Sequence, residues 1–456
     1  MTPALLRCAP FALLLTALTF ATAADDKPAK PDGKVPTVKI NGKPLAKGQG
    51  IVIPGEDGKP LLVLIGDDGK PVMRPATPED LKKYPVMTPN PDGSGKGTVA
   101  PPPRKVEKPA KKFEDTAAVE KRVKSALAWI AKSQKPDGSW PTGMGDNRPA
   151  IVVTTSYCGM ALMASGNKQY VPHVSRAVKY VTDNILQDRA VVKLPENLDQ
   201  SNWKIAIGGY FLCEYYGDQK RKNPKFKAPA LQGVIEKVVA DAGKRIEETG
   251  GWGHMPRIKN PLDYLELEIM SNWMLAMWGA AKELGFKVPN APLARSITFI
   301  EECCNQGRGD VGYSPRKGQK GFGCPCRTGG ALFAFQLLGK EDHTLYPLMV
   351  KSYKENLVDS NEGHGSLAIG FLTSGMAARH LEEDVWQEFK DRFFQQILDA
   401  GEKNGSIGVI KGKSPKAQAN ADGQVGAAYT TGIYALMLQL DGGKLRFTNR
   451  KAESKE

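Results

Sequence analysis

Apolar residues Val119, Val123, Leu127, Ile130 and Ala131 recur at three-to-four spacing and predict an amphipathic helix over 119–132. A stop follows at Ser133-Gln134-Lys135-Pro136-Asp137-Gly138, and Trp140 behind it reads as an aromatic plug. A second, more apolar helix is predicted over 154–164. The same unit, of roughly 50 residues, returns about six times between Ala117 and Leu440. The later pairs are 174–185 with 202–216, 231–248 with 264–284, 292–304 with 326–338, 345–357 with 367–381, and 384–402 with 425–440. Gly-rich turns separate them, among them Gly250-Gly251-Trp252-Gly253-His254, Gly309-Asp310-Val311-Gly312-Tyr313 and Asn404-Gly405-Ser406-Ile407-Gly408.

A helix that is apolar nearly all round has to be buried, and 265–281 and 427–440 are of that kind. The second helices therefore form an inner ring and the first helices an outer one. The expected fold is all-α, an (α/α)6 toroid of six helical hairpins over 113–442. A tail at 443–456 is expected to be disordered.

The strings Ala126-Leu127-Ala128-Trp129-Ile130 and Gln134-Lys135-Pro136-Asp137-Gly138-Ser139-Trp140 resemble the repeat of the squalene-cyclase and protein-prenyltransferase superfamily. Ala428-Tyr429-Thr430-Thr431 is similar in style. Gly323-Cys324-Pro325-Cys326-Arg327-Thr328 and His364-Gly365-Ser366 resemble more closely an uncharacterised bacterial envelope family on the same toroid. The resemblance implies the fold over about 114–440. Of reaction it implies little, since one fold hosts many.

Ahead of the repeats the composition changes. Arg7, the apolar run 11–20 and Ala21-Thr22-Ala23 read as an export signal over 1–23, cleaved after Ala23; an uncleaved anchor is the alternative. A periplasmic or secreted protein is expected. Residues 24–112 read as a basic, Lys/Pro-rich linker, with short strands at 37–40, 51–53 and 61–65 between Asn-Gly and Asp-Gly turns. The net charge of +14 is scattered over lysines rather than clustered with aromatics, which argues against nucleic acid. No later stretch is apolar enough to span a bilayer, so the cleaved chain is not expected to cross one, and its partner would be a ligand or another envelope component. Oligomeric state is not legible.

The motifs of known activities are missing. There is no Asp-x-Asp-Asp for terpene cyclisation, no Asp-x-Cys for a prenyltransferase zinc, and no Cys-Gly-Glu-Gln thioester. Glu382-Glu383-Asp384 reads as an acidic first turn of an outer helix. What remains is a set of residues near the starts of inner helices, which in a toroid converge on one mouth with exposed backbone N–H groups. Arg327 suits a carboxylate or phosphate, His364 suits proton transfer, and Glu266 or Glu268 suits an acid/base partner. Trp203, Tyr264, Cys326 and Tyr429 are candidate ligand contacts. The plainer alternatives are a His364 bonded to backbone, as for His254, an Arg327 paired with Glu266 or Glu268, and aromatics packed against the outer ring. No resident metal or cofactor is expected; zinc on Cys324, Cys326 and His364 is a weak alternative. Other outcomes for the thiols are a disulfide from Cys303 or Cys304 to Cys324 or Cys326, and a nucleophilic Cys326. Cys158 and Cys213 read as buried hydrophobes. Two functions stay open: a toroid that binds a ligand or partner, and a lyase or hydrolase for an acidic saccharide or lipid built on His364, Arg327 and a Glu.

Overall fold

The computed structural model describes residues 39–40, 43–44, 47–54, 60–66, 68, 71–84, 87–88, 98–99, 112–187, 201–256, 266–315, 324–360, 365–412 and 421–450. The chain divides into two compact units, Met1–Lys105 and Val106–Glu456.

In the first unit β1 (Lys39–Ile40) pairs with β2 (Lys43–Pro44). β3 (Gly50–Pro54), β4 (Pro60–Ile65) and β5 (Pro71–Pro75) form an antiparallel sheet in that order, Leu62 standing opposite Val52 on one side and Arg74 on the other. Val52, Leu62, Val63 and Ile65 are buried. Helix α1 (Pro78–Lys83) is capped by Thr77, which exchanges hydrogen bonds with Asp80 in a capping box. The expected strands at 51–53 and 61–65 form. Their third partner is β5, and of 37–40 only Lys39–Ile40 is described, in a separate pair. Two further strands, β6 (Met87–Thr88) and β7 (Thr98–Val99), pair with each other.

The described residues of the second unit form six helical hairpins. The outer helices are α2 (Thr116–Ser133), α4 (Val171–Asn184), α7 (Pro229–Lys244), α9 (Asn290–Cys303), α11 (Tyr346–Asn356) and α13 (Glu383–Asp399). The inner helices are α3 (Arg148–Ala164), α5 (Ser201–Trp203) continuing through a π-helical turn (Lys204–Gly208) into α6 (Gly209–Lys222), α8 (Glu268–Glu283), α10 (Pro325–Leu338), α12 (Leu367–His380) and α15 (Ala427–Met437), the last preceded by the short α14 (Asp422–Val425). Neighbouring inner helices touch in the order α3, α6, α8, α10, α12, α15 and back to α3, so the ring is closed. The burial pattern follows the apolar pattern. Outer α2 buries only Ala126, Leu127 and Ile130, whereas inner α3 buries every residue from Pro149 to Ala164.

One turn recurs around the ring. The Trp140 ring is wholly buried, its Nε1 donates to the Ile130 carbonyl at 2.7 Å, and its backbone N–H donates to Thr155 Oγ1 on the inner helix at 3.3 Å. Trp252 repeats this with the Ala242 carbonyl at 2.9 Å and Ser271 Oγ at 3.0 Å. Val311 and Ile407 donate likewise to Thr328 and Thr431 at 3.1 and 2.9 Å. The aromatic plug thus ties the end of an outer helix to the start of its inner partner. The glycine of the turn has positive φ, and the next outer helix lies against it: a Cβ on Gly138 would sit 2.4 Å from the Arg176 carbonyl of α4. At Gly405, in the last hairpin, that neighbour is the Ser125 carbonyl of α2, the first outer helix. Phe113 N–H donating to Asp391 at 2.7 Å and the Phe113–Phe394 ring pair at 5.5 Å add to the closure.

The end of the ring formed by inner-helix C-termini is crossed by residues 443–450. Glu214 of α6 accepts backbone N–H bonds from Arg446, Phe447 and Thr448, and the Thr448 hydroxyl at 2.6 Å. Lys444 N–H donates to Ala164, His380 Nε2 meets the Phe447 carbonyl at 3.3 Å, and Arg446 pairs with Glu283 at 3.0 Å. Leu445 and Phe447 are buried. The expectation of a disordered tail from 443 is therefore corrected for 443–450: alternate apolar side chains and a buried carboxylate hold this segment as a strap. Residues 451–456, the signal segment 1–23 and most of the linker lie outside the described residues.

Candidate active site

At the opposite end, the starts of the inner helices bond to one another. Asn272, one turn into α8, donates to the Arg327 carbonyl of α10 at 3.3 Å and to the Glu268 carboxylate. Thr373 of α12 donates to the Cys326 carbonyl at 2.9 Å. Ser366, the N-cap of α12, donates to Asp422 at 2.5 Å and meets the Tyr429 hydroxyl at 2.9 Å. The Ala368 N–H, at the start of α12, donates to the other Asp422 oxygen at 3.0 Å. These bonds gather the inner-helix starts at one end of the ring.

Its strongest electrostatic feature is the group Glu268, Cys324, Cys326 and Arg327. Glu268 is 0% exposed, and burial pushes its carboxyl well above the usual range; the Cys324 charge adds to this while Arg327 opposes it. One of its oxygens, Oε2, has no hydrogen-bond partner among the described residues, and neither has Asn272 Oδ1. Arg327 is partly exposed and lies over the Tyr313 ring, 4.9 Å from guanidinium to centroid. Burial alone would lower the Arg327 guanidinium, but Cys324, Cys326, Glu268 and Tyr313 outweigh it and hold it raised. Cys324 is the N-cap of α10 but makes no side-chain cap bond; its sulfur lies near the Cys326 thiol, the Arg327 guanidinium and backbone N–H groups of the helix start. The thiol bond foremost, then the guanidinium and the backbone donors, overcome burial and bring Cys324 from 9.0 to about 6. Cys326 moves the opposite way, because it is the donor and is buried beside a negative sulfur.

Two further groups flank this one. Burial raises Asp422, opposed by its bonds from Ser366 and the start of α12. Trp203 Nε1 donates to His254 Nδ1 at 2.8 Å, and burial lowers His254 to about 4, so the imidazole is neutral at pH 7. Lys204, in the π-helical turn, is 1% exposed and donates to the Gln187 carbonyl at 2.7 Å. Deeper in, rings from helices that are not neighbours meet. Tyr157 of α3 lies 6.1 Å from Trp273 of α8, and Tyr210 of α6 lies 6.1 Å from Phe333 of α10; Tyr157 also lies 5.8 Å from Tyr429 of the adjacent α15. The ring interior is packed with aromatics, and Tyr157 Oη and Trp273 Nε1 are buried there with no hydrogen-bond partner among the described residues.

Of the residues predicted from sequence, the structure brings Glu268, Arg327 and Cys326 into one group. Tyr429 belongs to the Asp422–Ser366 group, and Trp203 pairs with His254. Glu266 is buried beside Gly251, at the plug turn, and takes part in none of the hydrogen bonds or ion pairs described for the Glu268 group. Tyr264 and His364 lie outside the described residues. The Cys326 thiol is 1% exposed and lies beside Cys324. Cys303, Cys304, Cys324 and Cys326 are free thiols in this structure. Among the described residues no three His, Cys, Asp or Glu side chains are grouped to hold a metal. Cys158 and Cys213 are wholly buried as expected, and burial raises both. No helix among the described residues is long and apolar enough to cross a membrane. Sequence reasoning missed Asp422, Ser366 as its partner, Lys204 and the role of Cys324. A cysteine directly before Pro at a helix start is an N-cap signal that was available.

A family model described as a domain of unknown function, DUF6288, matches residues 120–441. The chain belongs to that family. No curated protein matches it in sequence. Among solved structures, an unsaturated glucuronyl hydrolase from Streptococcus agalactiae is 10% identical, with 74% of this chain and 96% of that one covered and a TM-score of 0.50. Cellobiose 2-epimerase from Bacillus thermoamylovorans B4167 is 12% identical, with 71% and 98% covered and a TM-score of 0.49. The α-1,6-mannanase GH76A of Salegentibacter sp. HEL1_6 is 10% identical, with 70% and 98% covered and a TM-score of 0.47. The DUF6288 chain shares the toroid fold with the first of these, and identity this low shows nothing beyond fold. The likeness to squalene cyclases and prenyltransferases read from the repeats holds at the level of a helical toroid.

Proposed function

We propose that the inner-helix mouth is the active site of a hydrolase or lyase for an acidic saccharide. The observation that carries this reading is Glu268: a wholly buried carboxyl whose burial favours the neutral form, with one oxygen unmatched by any described residue and Arg327 beside it. A carboxyl kept neutral in this way donates a proton to a departing glycosidic oxygen, and recovers it from water or from the sugar ring carbon. Asn272 fixes its orientation. Arg327, stacked on Tyr313 and partly exposed, binds the carboxylate of the sugar. The solved toroid of comparable shape is described as an unsaturated glucuronyl hydrolase, which fits a fold able to hold a uronate; the reading itself stands on Glu268 and Arg327.

Export after cleavage behind Ala23 belongs to the same proposal, and amino-terminal sequencing of the mature protein tests it. Terpene cyclisation and zinc-dependent prenyl transfer are set aside because their motifs are missing from the chain. A second reading, a toroid that binds a ligand without turnover, is favoured by one observation: aromatic rings fill the interior between non-neighbouring helices. A screen separates the two. Wild type is incubated with uronate-containing and neutral polysaccharides, and new reducing ends and unsaturated uronates are measured. Activity on the acidic set that is lost in Glu268→Gln supports the enzyme; binding with no product from any of them supports the second reading.

A further inference from the structure

We infer that His254 is a ligand-contacting residue of the mouth: a neutral imidazole that Trp203 holds in one tautomer, so that its Nε2–H donates a hydrogen bond to a saccharide oxygen. The geometry fixes the tautomer. An indole N–H can only donate, and Trp203 Nε1 lies 2.8 Å from His254 Nδ1. Nδ1 is therefore the acceptor and carries no proton, which leaves the hydrogen of the neutral ring on Nε2. Both partners are held from behind. Trp203 ends α5, the first turn of the second inner helix, and is 7% exposed. Asn202 beside it donates its backbone N–H to the His254 carbonyl at 3.0 Å and its side-chain amide to the Gly253 carbonyl at 2.9 Å. Trp252, two residues before His254, is bridged to Leu267, the residue ahead of Glu268. The imidazole is thus tied to the starts of two neighbouring inner helices, one of which carries Glu268.

What the fold leaves unused is Nε2. Among the described residues nothing bonds to that nitrogen, and His254 is partly exposed. A histidine that serves packing alone spends both nitrogens, as His343 does: its Nε2 meets Glu301 at 2.6 Å and its Nδ1 accepts the Leu345 N–H at 3.3 Å. Charged side chains on the elements around His254 are Lys204 of the π-helical turn, which donates to the Gln187 carbonyl, Arg245 at the end of α7, which donates to Ser201 and pairs with Asp241, and Glu266 and Glu268 at the start of α8. Burial is what lowers the imidazole, to about 4, and it keeps the ring uncharged at neutral pH. A neutral donor suits a hydroxyl or ring oxygen of a sugar, and leaves the sugar carboxylate to Arg327.

The inference rests on the mouth being a saccharide site, and the test keeps the two apart. The full chain with nitrogen-labelled histidine is followed by NMR across pH, free and with a uronate oligosaccharide, and binding is measured by calorimetry. In wild type, His254 is expected to show hydrogen on Nε2 alone and no titration near neutral pH, and the oligosaccharide shifts its Nε2–H signal. In Trp203→Phe the tautomers mix and His254 titrates nearer the ordinary 6.5. His254→Ala binds the oligosaccharide about 3- to 10-fold more weakly. His254→Gln, whose amide returns an N–H close to the Nε2 position, restores most of that loss. A circular dichroism melt of each variant separates loss of binding from loss of fold. Hydrogen on Nδ1 in wild type overturns the inference. So does an oligosaccharide that binds without moving the His254 signal, or that binds His254→Ala as tightly as wild type; the saccharide reading then stands alone. A shifted His254 signal beside undiminished turnover by Glu268→Gln supports the inference and removes the role given to Glu268. No binding to wild type overturns both.

Discussion

Ring closure has a local signature that one substitution can probe. Gly405 has φ +98°, and a Cβ there would lie 2.8 Å from the Ser125 carbonyl and 3.3 Å from Trp129 Cβ, both on α2. Gly285 has a similar φ of +87°, but nothing lies within 4 Å of its Cβ position. Both Gly→Ala substitutions carry the left-handed backbone cost of about 1–2 kcal/mol. Gly405→Ala also drives a methyl into helix backbone that cannot turn aside, which adds about 1–3 kcal/mol by the measure of overpacked cores. At about 2–4 °C per kcal/mol, Gly285→Ala lowers Tm by a few degrees and Gly405→Ala by on the order of twice that. Differential scanning calorimetry of the two variants beside wild type reads the difference. Equal losses would mean that the last hairpin does not press on the first, and that the toroid is not closed as described.

Other outcomes follow from named contacts. Trp252→Phe removes the bond to the Ala242 carbonyl and part of a buried ring, and is expected to cost about 2–4 kcal/mol in denaturant unfolding. Phe447→Ala empties the centre of the strap and should cost about 3–5 kcal/mol, with faster proteolysis after residue 442. Burial, aided by Arg450, lowers His380 from 6.5 to about 3. The unfolded chain therefore takes up that proton more readily, and the stability present above about 6.5 drains away as pH falls toward about 3. His380→Gln should flatten this acid limb in a Tm-against-pH series. Burial raises Glu214, so its contribution has the opposite sign: it is present at low pH and is lost as pH rises through the raised value.

The fold was legible because its rule is repeated. Each Gly-x-Trp or Gly-rich turn falls between one helix with an apolar stripe and one that is apolar all round, and the predicted inner helices 326–338 and 367–381 lie within one residue of α10 and α12 at each end. The inner helix expected from 264 has its described start at Glu268, behind an extended Leu267 bridged to Trp252. β5 went unread since Pro71 and Pro75 bracket it, and prolines argue against a strand unless it lies at a sheet edge, where β5 does lie. The strap was read as a tail because lysine and arginine alternate with its few apolar residues. Its anchor, Glu214, lies more than two hundred residues earlier in the chain, beyond the reach of any local pattern. At the mouth, residue type pointed to Arg327 and Glu268. Only geometry could show that Asp422, at the start of the short α14, accepts an N–H from the first turn of α12.

The central claim is that Glu268 transfers a proton to an acidic saccharide held by Arg327. Its most direct measurement is turnover by wild type, Glu268→Gln and Arg327→Gln on one uronate oligosaccharide, followed by proton NMR, with binding to each variant measured by calorimetry. The account predicts that Glu268→Gln binds the sugar but makes no product, and that Arg327→Gln raises KM far more than it lowers kcat. Undiminished turnover by Glu268→Gln, with its melting temperature unchanged, would contradict it.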